Sequence, residues 1–173
     1  MSTQDLVTVL ELNEHLHFLW TCPGDELNRL VSNLCLHERL PLSFLCTLDE
    51  GDKTICLRAV LICYSVTGST QVPREMQLKV VLANWNGKDC LVSAGTGSGK
   101  TLPIALSALL DPPEKRLVSF VLSPLKRLQV TQESDFNSRY GITAVVINED
   151  TSREDAWWLV SPTVPLFITA WSY

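Results

Sequence analysis

The sequence contains little histidine, no paired cysteine motif and no excess of positive charge. Three histidines and six cysteines occur among 173 residues, and no two cysteines form a C-x-x-C pair. His15, His17 and Cys22 stand near one another, but without a second Cys/His cluster they do not make a zinc motif. The scattered cysteines are typical of a reduced intracellular protein. A formal net charge of −5 argues against a broadly basic surface for nucleic acid, although it allows a local basic patch.

The sequence also has little that predicts export or membrane insertion. The first residues lack a basic segment and contain acids early, which argues against a secretory signal. Residues 59–64 are apolar but too short to span a bilayer. Residues 157–173 carry no charge, but Pro162 and Pro165 interrupt them, so they predict a buried strand and its approach. We therefore expect a soluble intracellular protein.

One stretch, residues 92–101, predicts a phosphate-binding loop. An apolar run at residues 90–92, which predicts a strand, precedes it, and a helix-like segment at residues 102–110 follows it. Glycines let backbone N–H groups turn towards an anion, and a helix N-terminus adds its positive dipole end. Lys100 is expected to reach the β- and γ-phosphates of a nucleotide, and the Thr101 hydroxyl to ligate Mg²⁺. The candidate cofactor-binding residues of the loop are Ala94, Gly95, Thr96, Gly97, Ser98, Gly99, Lys100 and Thr101.

The order of predicted elements indicates an α/β fold. Beyond the helix at residues 102–110, strands are predicted at residues 117–123, 141–147 and 166–170, and helices at 125–139 and 152–158. The strand at 117–123 is continuously apolar, as in a parallel strand that is buried on both faces. A helix at residues 74–85 precedes the loop, whereas residues 57–64 fit a strand or a helix equally well. This alternation predicts right-handed crossovers and a parallel sheet flanked by helices.

Three motifs in order resemble superfamily 2 helicases. Arg74-x-x-Gln77 stands before the loop, and Ser123-Pro124-Leu125-Lys126 follows the strand after it. The resemblance is strongest to the RecQ-like ATP-dependent DNA helicases and covers roughly residues 57–170. It implies a partial RecA-like P-loop NTPase fold over residues 57–173, with a mostly helical N-terminal extension of uncertain fold over residues 1–56. It also implies ATP and Mg²⁺ as cofactors and a nuclear or cytoplasmic location, of which the family favours the nucleus.

The resemblance assigns roles to individual residues outside the loop. It implies that Gln77 reads adenine and that Arg74 lies beside the base, since an amide can donate to and accept from adenine at once. It implies that Ser123, Pro124, Leu125 and Lys126 contact the nucleic-acid backbone, DNA in preference to RNA. Trp157 and Trp158 fit base stacking or, more commonly, core packing.

The chain lacks the acidic motif that superfamily 2 helicases use for hydrolysis. The Asp-Glu string at Asp25-Glu26 precedes the loop, and no Asp-Glu-x-His or Asp-Glu-x-Asp motif follows it. A second RecA-like domain with its arginine finger is also missing, so no catalytic residue can be assigned. We expect ATP and DNA binding with negligible unwinding by the chain alone. Two alternatives stay open: part of a DEAD-box RNA helicase, or a non-catalytic nucleotide-binding or interaction protein whose incomplete sheet exposes apolar surface.

Overall fold

The computed structural model describes residues 14–34, 36–112, 115 and 118–151, together with the backbone of residues 166–169. The chain divides into two compact units, one ending at Leu110 and the other beginning at Asp111. None of the described helices is both long enough and apolar enough to cross a membrane. The predicted helix at 152–158, including Trp157 and Trp158, lies outside the described residues.

The first unit consists of helices joined by short loops. Helix α1 covers residues 14–21, and a short 3₁₀ turn covers His37–Arg39. The remaining helices are α2 (Gly24–Asn33), α3 (Leu42–Leu45), α4 (Glu50–Val66), α5 (Glu75–Trp85) and α6 (Thr101–Leu110). The predicted helices before and after the loop are therefore confirmed as α5 and α6.

Helix α4 is the centre of the first unit. It packs against α2, α5 and α6, so nearly all of its middle is buried, from Ile55 to Cys63. A helix that is covered on several sides shows no apolar stripe, which is why residues 57–64 did not distinguish helix from strand. The Asp49 side chain accepts a hydrogen bond from the backbone N–H of Asp52 at 2.8 Å and caps the helix start. The predicted domain boundary after residue 56 falls inside α4, and the functional division into extension and ATP-binding domain stays a prediction.

Two polar side chains attach α1 to the rest of the first unit. Arg58 of α4 donates from Nε to the carbonyl of Leu19 at 2.8 Å and from its terminal nitrogen to Cys22 at 3.0 Å. Trp20 donates from Nε1 to the carbonyl of Leu109, at the end of α6, at 2.8 Å. The carbonyls at the end of α1, which have no partner within the helix, thus receive donors from α4.

The strand predicted just before the phosphate loop does not form. Residues 88–95 adopt no regular secondary structure, and the Leu91 side chain is 99% exposed. A strand needs a hydrogen-bonded neighbour, and the described part of the first unit contains helices and no sheet. An apolar run of three residues was therefore insufficient to predict a strand here.

The second unit contains a parallel sheet of three strands in the described residues, in the order β1-β3-β2. These strands are β1 (Ser119–Leu122), β2 (Ala144–Ile147) and β3 (Leu166–Thr169). Leu166 lies opposite Ser119 on one side and Ala144 on the other. The three predicted strands and their parallel pairing are confirmed. The expectation that the first of them is buried on both faces is wrong, because Phe120 and Leu122 are 68% and 62% exposed at the sheet edge.

Helix α7 (Lys126–Arg139) lies against β2 and β3. Its Asn137 side chain accepts from the backbone N–H of Ala144 at 3.2 Å and donates to the carbonyl of Ala144 at 3.0 Å. The Glu133 carboxylate accepts from the backbone N–H of Val146 at 3.0 Å. Side chains of α7 thus satisfy the outer edge of β2, where a further strand would otherwise pair.

Candidate functional site

The predicted phosphate loop occupies residues 94–100 of the structure, between a segment without regular secondary structure and the start of α6. Gly97 and Gly99 both adopt positive φ, 79° and 77°. The Lys100 ammonium donates to the carbonyls of Ala94 at 2.9 Å and Gly95 at 2.8 Å, at the opposite end of the loop. The lysine therefore closes the loop on itself while its side chain stays exposed.

Gln77 joins this loop to helix α5. Its Nε2 donates to the carbonyl of Gly99 at 2.9 Å and makes a longer contact of 3.5 Å with that of Ser98. Its Oε1 accepts from the backbone N–H of Arg74 at 2.7 Å, and the residue is only 4% exposed. The amide that was predicted to read adenine thus holds both the helix start and the loop, while Arg74 is exposed. The adenine role of both residues stays a prediction.

Gly99 is required at its position for two reasons. Its positive φ is one that residues with a side chain rarely adopt. A Cβ atom added there would also lie 2.5 Å from Nε2 of Gln77, much closer than van der Waals contact. The close approach of the glutamine to the loop therefore depends on the absence of a side chain at Gly99.

The loop has the groups that a nucleotide phosphate requires. Helix α6 begins at Thr101, and the first N–H groups of a helix have no acceptor within it. Lys100 adds a positive charge, and Thr101 adds a half-buried residue with a hydroxyl oxygen suited to Mg²⁺. Within the described ranges, no group of three or more His, Cys, Asp or Glu side chains could hold a metal ion. The role of Thr101 as a Mg²⁺ ligand stays a prediction.

The second predicted site begins where β1 ends. Ser123 is 3% exposed and its hydroxyl is buried without a hydrogen-bond partner. Its carbonyl accepts from Nε2 of Gln129 at 2.7 Å. By contrast, Pro124, Leu125 and Lys126 are exposed. Ser123 is thus buried while the three residues after it are exposed, and the nucleic-acid role of residues 123–126 stays a prediction.

Lys126 is held by two carboxylates from the turn that follows β2. Its Nζ lies 2.5 Å from Oε1 of Glu149 and 2.7 Å from Oδ2 of Asp150. Hydrogen bonds that the ammonium donates to Asp150 and Glu149 raise the pKa of the lysine. The ammonium is therefore fully charged at neutral pH and already has anionic partners.

The sequence did not predict a role for Gln129 and Asn148. These two side chains connect the loop after β1 to the loop after β2. Gln129 is completely buried in α7, and its Oε1 accepts from Nδ2 of Asn148 at 2.9 Å. Its burial follows from the packing of α7 against β2 and β3, which the residue type does not predict.

Comparisons with known proteins identify the family. Residues 74–170, more than half of the chain, match the DEAD/DEAH box helicase family. Two curated relatives, each named "Probable ATP-dependent RNA helicase DDX52", come from Mus musculus and Rattus norvegicus. Both are 29% identical over 85 residues, which are 47% of this chain and 14% of the relative. The chain thus matches about one seventh of the length of these relatives.

No solved structure matches the chain. The family match covers the motifs that suggested a superfamily 2 helicase: the Arg74–Gln77 pair, the phosphate loop and the segment after β1. The relatives favour the RNA helicase alternative over the RecQ-like DNA helicases that the motifs most resemble. The chain belongs to the DEAD/DEAH box helicase family.

Proposed function

We propose that this chain binds ATP and Mg²⁺ at residues 94–101 as part of a DEAD-box type ATP-dependent RNA helicase. Lys100 contacts the β- and γ-phosphates, and Thr101 ligates Mg²⁺. The exposed residues that follow β1, with Lys126, contact the nucleic-acid backbone without reading bases. In this proposal the phosphate loop belongs to a partial RecA-like fold.

The hydrogen bond between Gln77 and Gly99 is the observation that carries the proposal. It brings the residue predicted to recognise adenine to within 2.9 Å of the loop predicted to bind the phosphates. These residues are 22 positions apart in the chain. Their proximity in one unit supports a single nucleotide site, in which the base lies near α5 and the phosphates near the start of α6.

The RNA preference rests on the names of the two relatives. A RecQ-like DNA helicase is the second candidate, favoured by Arg74-x-x-Gln77 and by Ser123-Pro124-Leu125. Competition between single-stranded RNA and single-stranded DNA of the same sequence separates the two candidates. Tighter binding of RNA by the full chain is expected, and a clear preference for DNA would reverse our choice.

The nucleotide site is tested with a fluorescent ATP analogue and the Lys100→Ala variant. Loss of a charge-assisted contact to phosphate is expected to weaken binding by roughly 10- to 100-fold. Lys88→Ala is the matched control, because Lys88 is exposed and lies outside the loop. Equal affinity in the native chain and Lys100→Ala would contradict the proposal.

A further inference from the structure

We propose that Glu149 and Asp150 form an acidic latch that competes with nucleic-acid phosphates for Lys126. The inference rests on the proposed nucleic-acid contact of residues 123–126 and adds a regulation of that site. Both carboxylates lie within 2.7 Å of the ammonium nitrogen. The carboxylates occupy two of the three donors of the ammonium and offset its charge, so a phosphate oxygen must compete with them for the lysine.

The acidic turn has a defined conformation. Asn148 accepts from the backbone N–H of Asp150 through Oδ1 at 2.9 Å, and its own N–H donates to Oγ1 of Thr151 at 2.9 Å. The backbone N–H of Thr151 donates to the carbonyl of Asn148 at 3.0 Å. Three hydrogen bonds thus fix the backbone that carries Glu149 and Asp150, which lowers the entropy lost when the carboxylates pair with the lysine.

Gln129 fixes the turn relative to the start of α7. Its amide donates to Ser123, one residue beyond β1, and accepts from Asn148, one residue beyond β2. Because β1 and β2 both run parallel to β3, the loops after β1 and β2 leave the sheet at the same end, where the strands terminate. The buried amide therefore holds the acidic turn next to Lys126.

The charges at this end of the sheet favour the latched state, in which Lys126 is paired with Glu149 and Asp150. Two carboxylates oppose one ammonium, so the cluster has a net negative charge and repels phosphate. Lys126 is 46% exposed, and the two carboxylates are 65% and 70% exposed. Solvent and salt screen such pairs, so a phosphate can displace the carboxylates, and the latch weakens binding without abolishing it.

The principal test is a double-mutant cycle on nucleic-acid binding by the full chain. The probe is a fluorescein-labelled single-stranded oligouridine RNA, titrated over a series of KCl concentrations. Glu149→Gln with Asp150→Asn should tighten binding about 3- to 10-fold at low salt. The slope of the logarithm of the binding constant against the logarithm of the KCl concentration should become steeper by about 0.7. This is the change expected when one lysine gains a phosphate contact on a single strand.

The cycle separates release of Lys126 from a general gain of positive charge. In a Lys126→Gln background, the same two substitutions should give a much smaller gain in affinity and no change in slope. Glu14→Gln with Glu38→Gln is the charge control, because it changes the net charge by the same amount at exposed positions. It should have little effect on RNA affinity. An equal gain in the two backgrounds would overturn the latch.

A second measurement tests the latch without nucleic acid. Acetic anhydride modifies neutral amines, so carboxylates that hold Lys126 charged should protect it. Peptide mass spectrometry should show faster acetylation of Lys126 in Glu149→Gln with Asp150→Asn than in the native chain, with Lys88 as internal reference. Unchanged acetylation would overturn the latch. If acetylation changes as expected but Lys126→Gln binds RNA as well as the native chain, the proposed nucleic-acid contact fails instead.

Discussion

The side-chain nitrogen of Gln77 lies 2.9 Å from the carbonyl oxygen of Gly99, so a residue of α5 holds the end of the phosphate loop. The other atom of the same amide caps the start of α5 at the backbone N–H of Arg74. One buried side chain therefore determines the position of the loop relative to the helix that precedes it. An anion that moves the loop must also affect the start of α5.

Replacement of Gln77 separates its two hydrogen bonds. Gln77→Ala leaves the N–H of Arg74 and the carbonyl of Gly99 without this partner, and the free energy of unfolding is expected to fall by about 1–3 kcal/mol. Gln77→Glu can still accept from Arg74 but cannot donate to Gly99, and it adds a negative charge beside the loop. We expect Gln77→Glu to weaken binding of the ATP analogue more than Gln77→Ala.

Urea unfolding and analogue titration measure these two effects. Asn84→Ala, at an exposed position of the same helix, is the control and should be close to the native chain in both assays. If Gln77→Ala proves as stable as this control, the bridge between α5 and the loop does not contribute in solution.

The two glycines at positions 95 and 99 should respond differently to alanine. Gly99→Ala introduces a Cβ at 2.5 Å from Nε2 of Gln77 and requires a positive φ, which alone costs about 1–2 kcal/mol. A Cβ atom added at Gly95 would meet no atom within 4 Å, and the φ of Gly95 is not positive. We expect the free energy of unfolding of Gly95→Ala to lie within about 0.5 kcal/mol of that of the native chain, and that of Gly99→Ala to be clearly lower.

The glycine prediction has its own internal check. In a Gln77→Ala background the steric part of the Gly99→Ala effect disappears, whereas the backbone strain remains. The destabilisation by Gly99→Ala should therefore be smaller there than in the native chain. Equal destabilisation in both backgrounds would show that the contact with Gln77 does not contribute to the effect of Gly99→Ala.

Ser123 and Gln129 offer a comparison between an unpaired and a paired buried group. Ser123→Ala removes a buried hydroxyl that has no hydrogen-bond partner, so stability should be unchanged or higher. Gln129→Met breaks the bonds to Ser123 and Asn148 and should cost about 1–3 kcal/mol in urea unfolding. Weaker RNA binding by a stable Ser123→Ala variant would indicate that the hydroxyl reaches the nucleic acid after a rearrangement.

Stability at high pH should report on Cys56. Burial, with the nearby Asp52 carboxylate, raises the pKa of this thiol from 9.0 to about 12. Between these two values the unfolded chain loses the thiol proton and the folded chain keeps it. The contribution of Cys56 to stability is therefore complete below about pH 9 and is lost as the pH rises towards 12.

Cys56→Ala provides the comparison for this pH dependence. The variant should show a shallower loss of stability over the same alkaline range, although it is less stable at neutral pH because a buried side chain is truncated. Thermal unfolding at a series of pH values measures both curves. Parallel curves for the variant and the native chain would contradict the raised pKa.

Much of the candidate site could be predicted from local sequence. Glycines followed by Lys100-Thr101 and an apolar segment predicted the loop and α6, because both depend on neighbouring residues. The alternation of apolar segments in the second unit likewise predicted β1, β2, β3 and their parallel pairing. Three short motifs and their order predicted the helicase superfamily, but the RecQ-like resemblance that they favoured is not supported by the relatives.

Other features depended on contacts between distant residues, and the sequence could not provide them. The run at residues 90–92 is apolar enough for a strand, but a strand forms only where a partner satisfies its backbone groups. Residues 57–64 became helical because α2, α5 and α6 surround them.

The sequence by itself determined the groups from which function is proposed: a glycine-rich loop that ends in Lys100-Thr101, a preceding glutamine and a polar segment after a strand. These are properties of residue type and short spacing. The tertiary structure alone decided which partners those residues have. Gln77 holds Gly99 through a hydrogen bond that spans 22 positions, and Lys126 is paired with acids that follow another strand. Hydrogen bonds and ion pairs depend on distances in space, which the packing of whole elements determines.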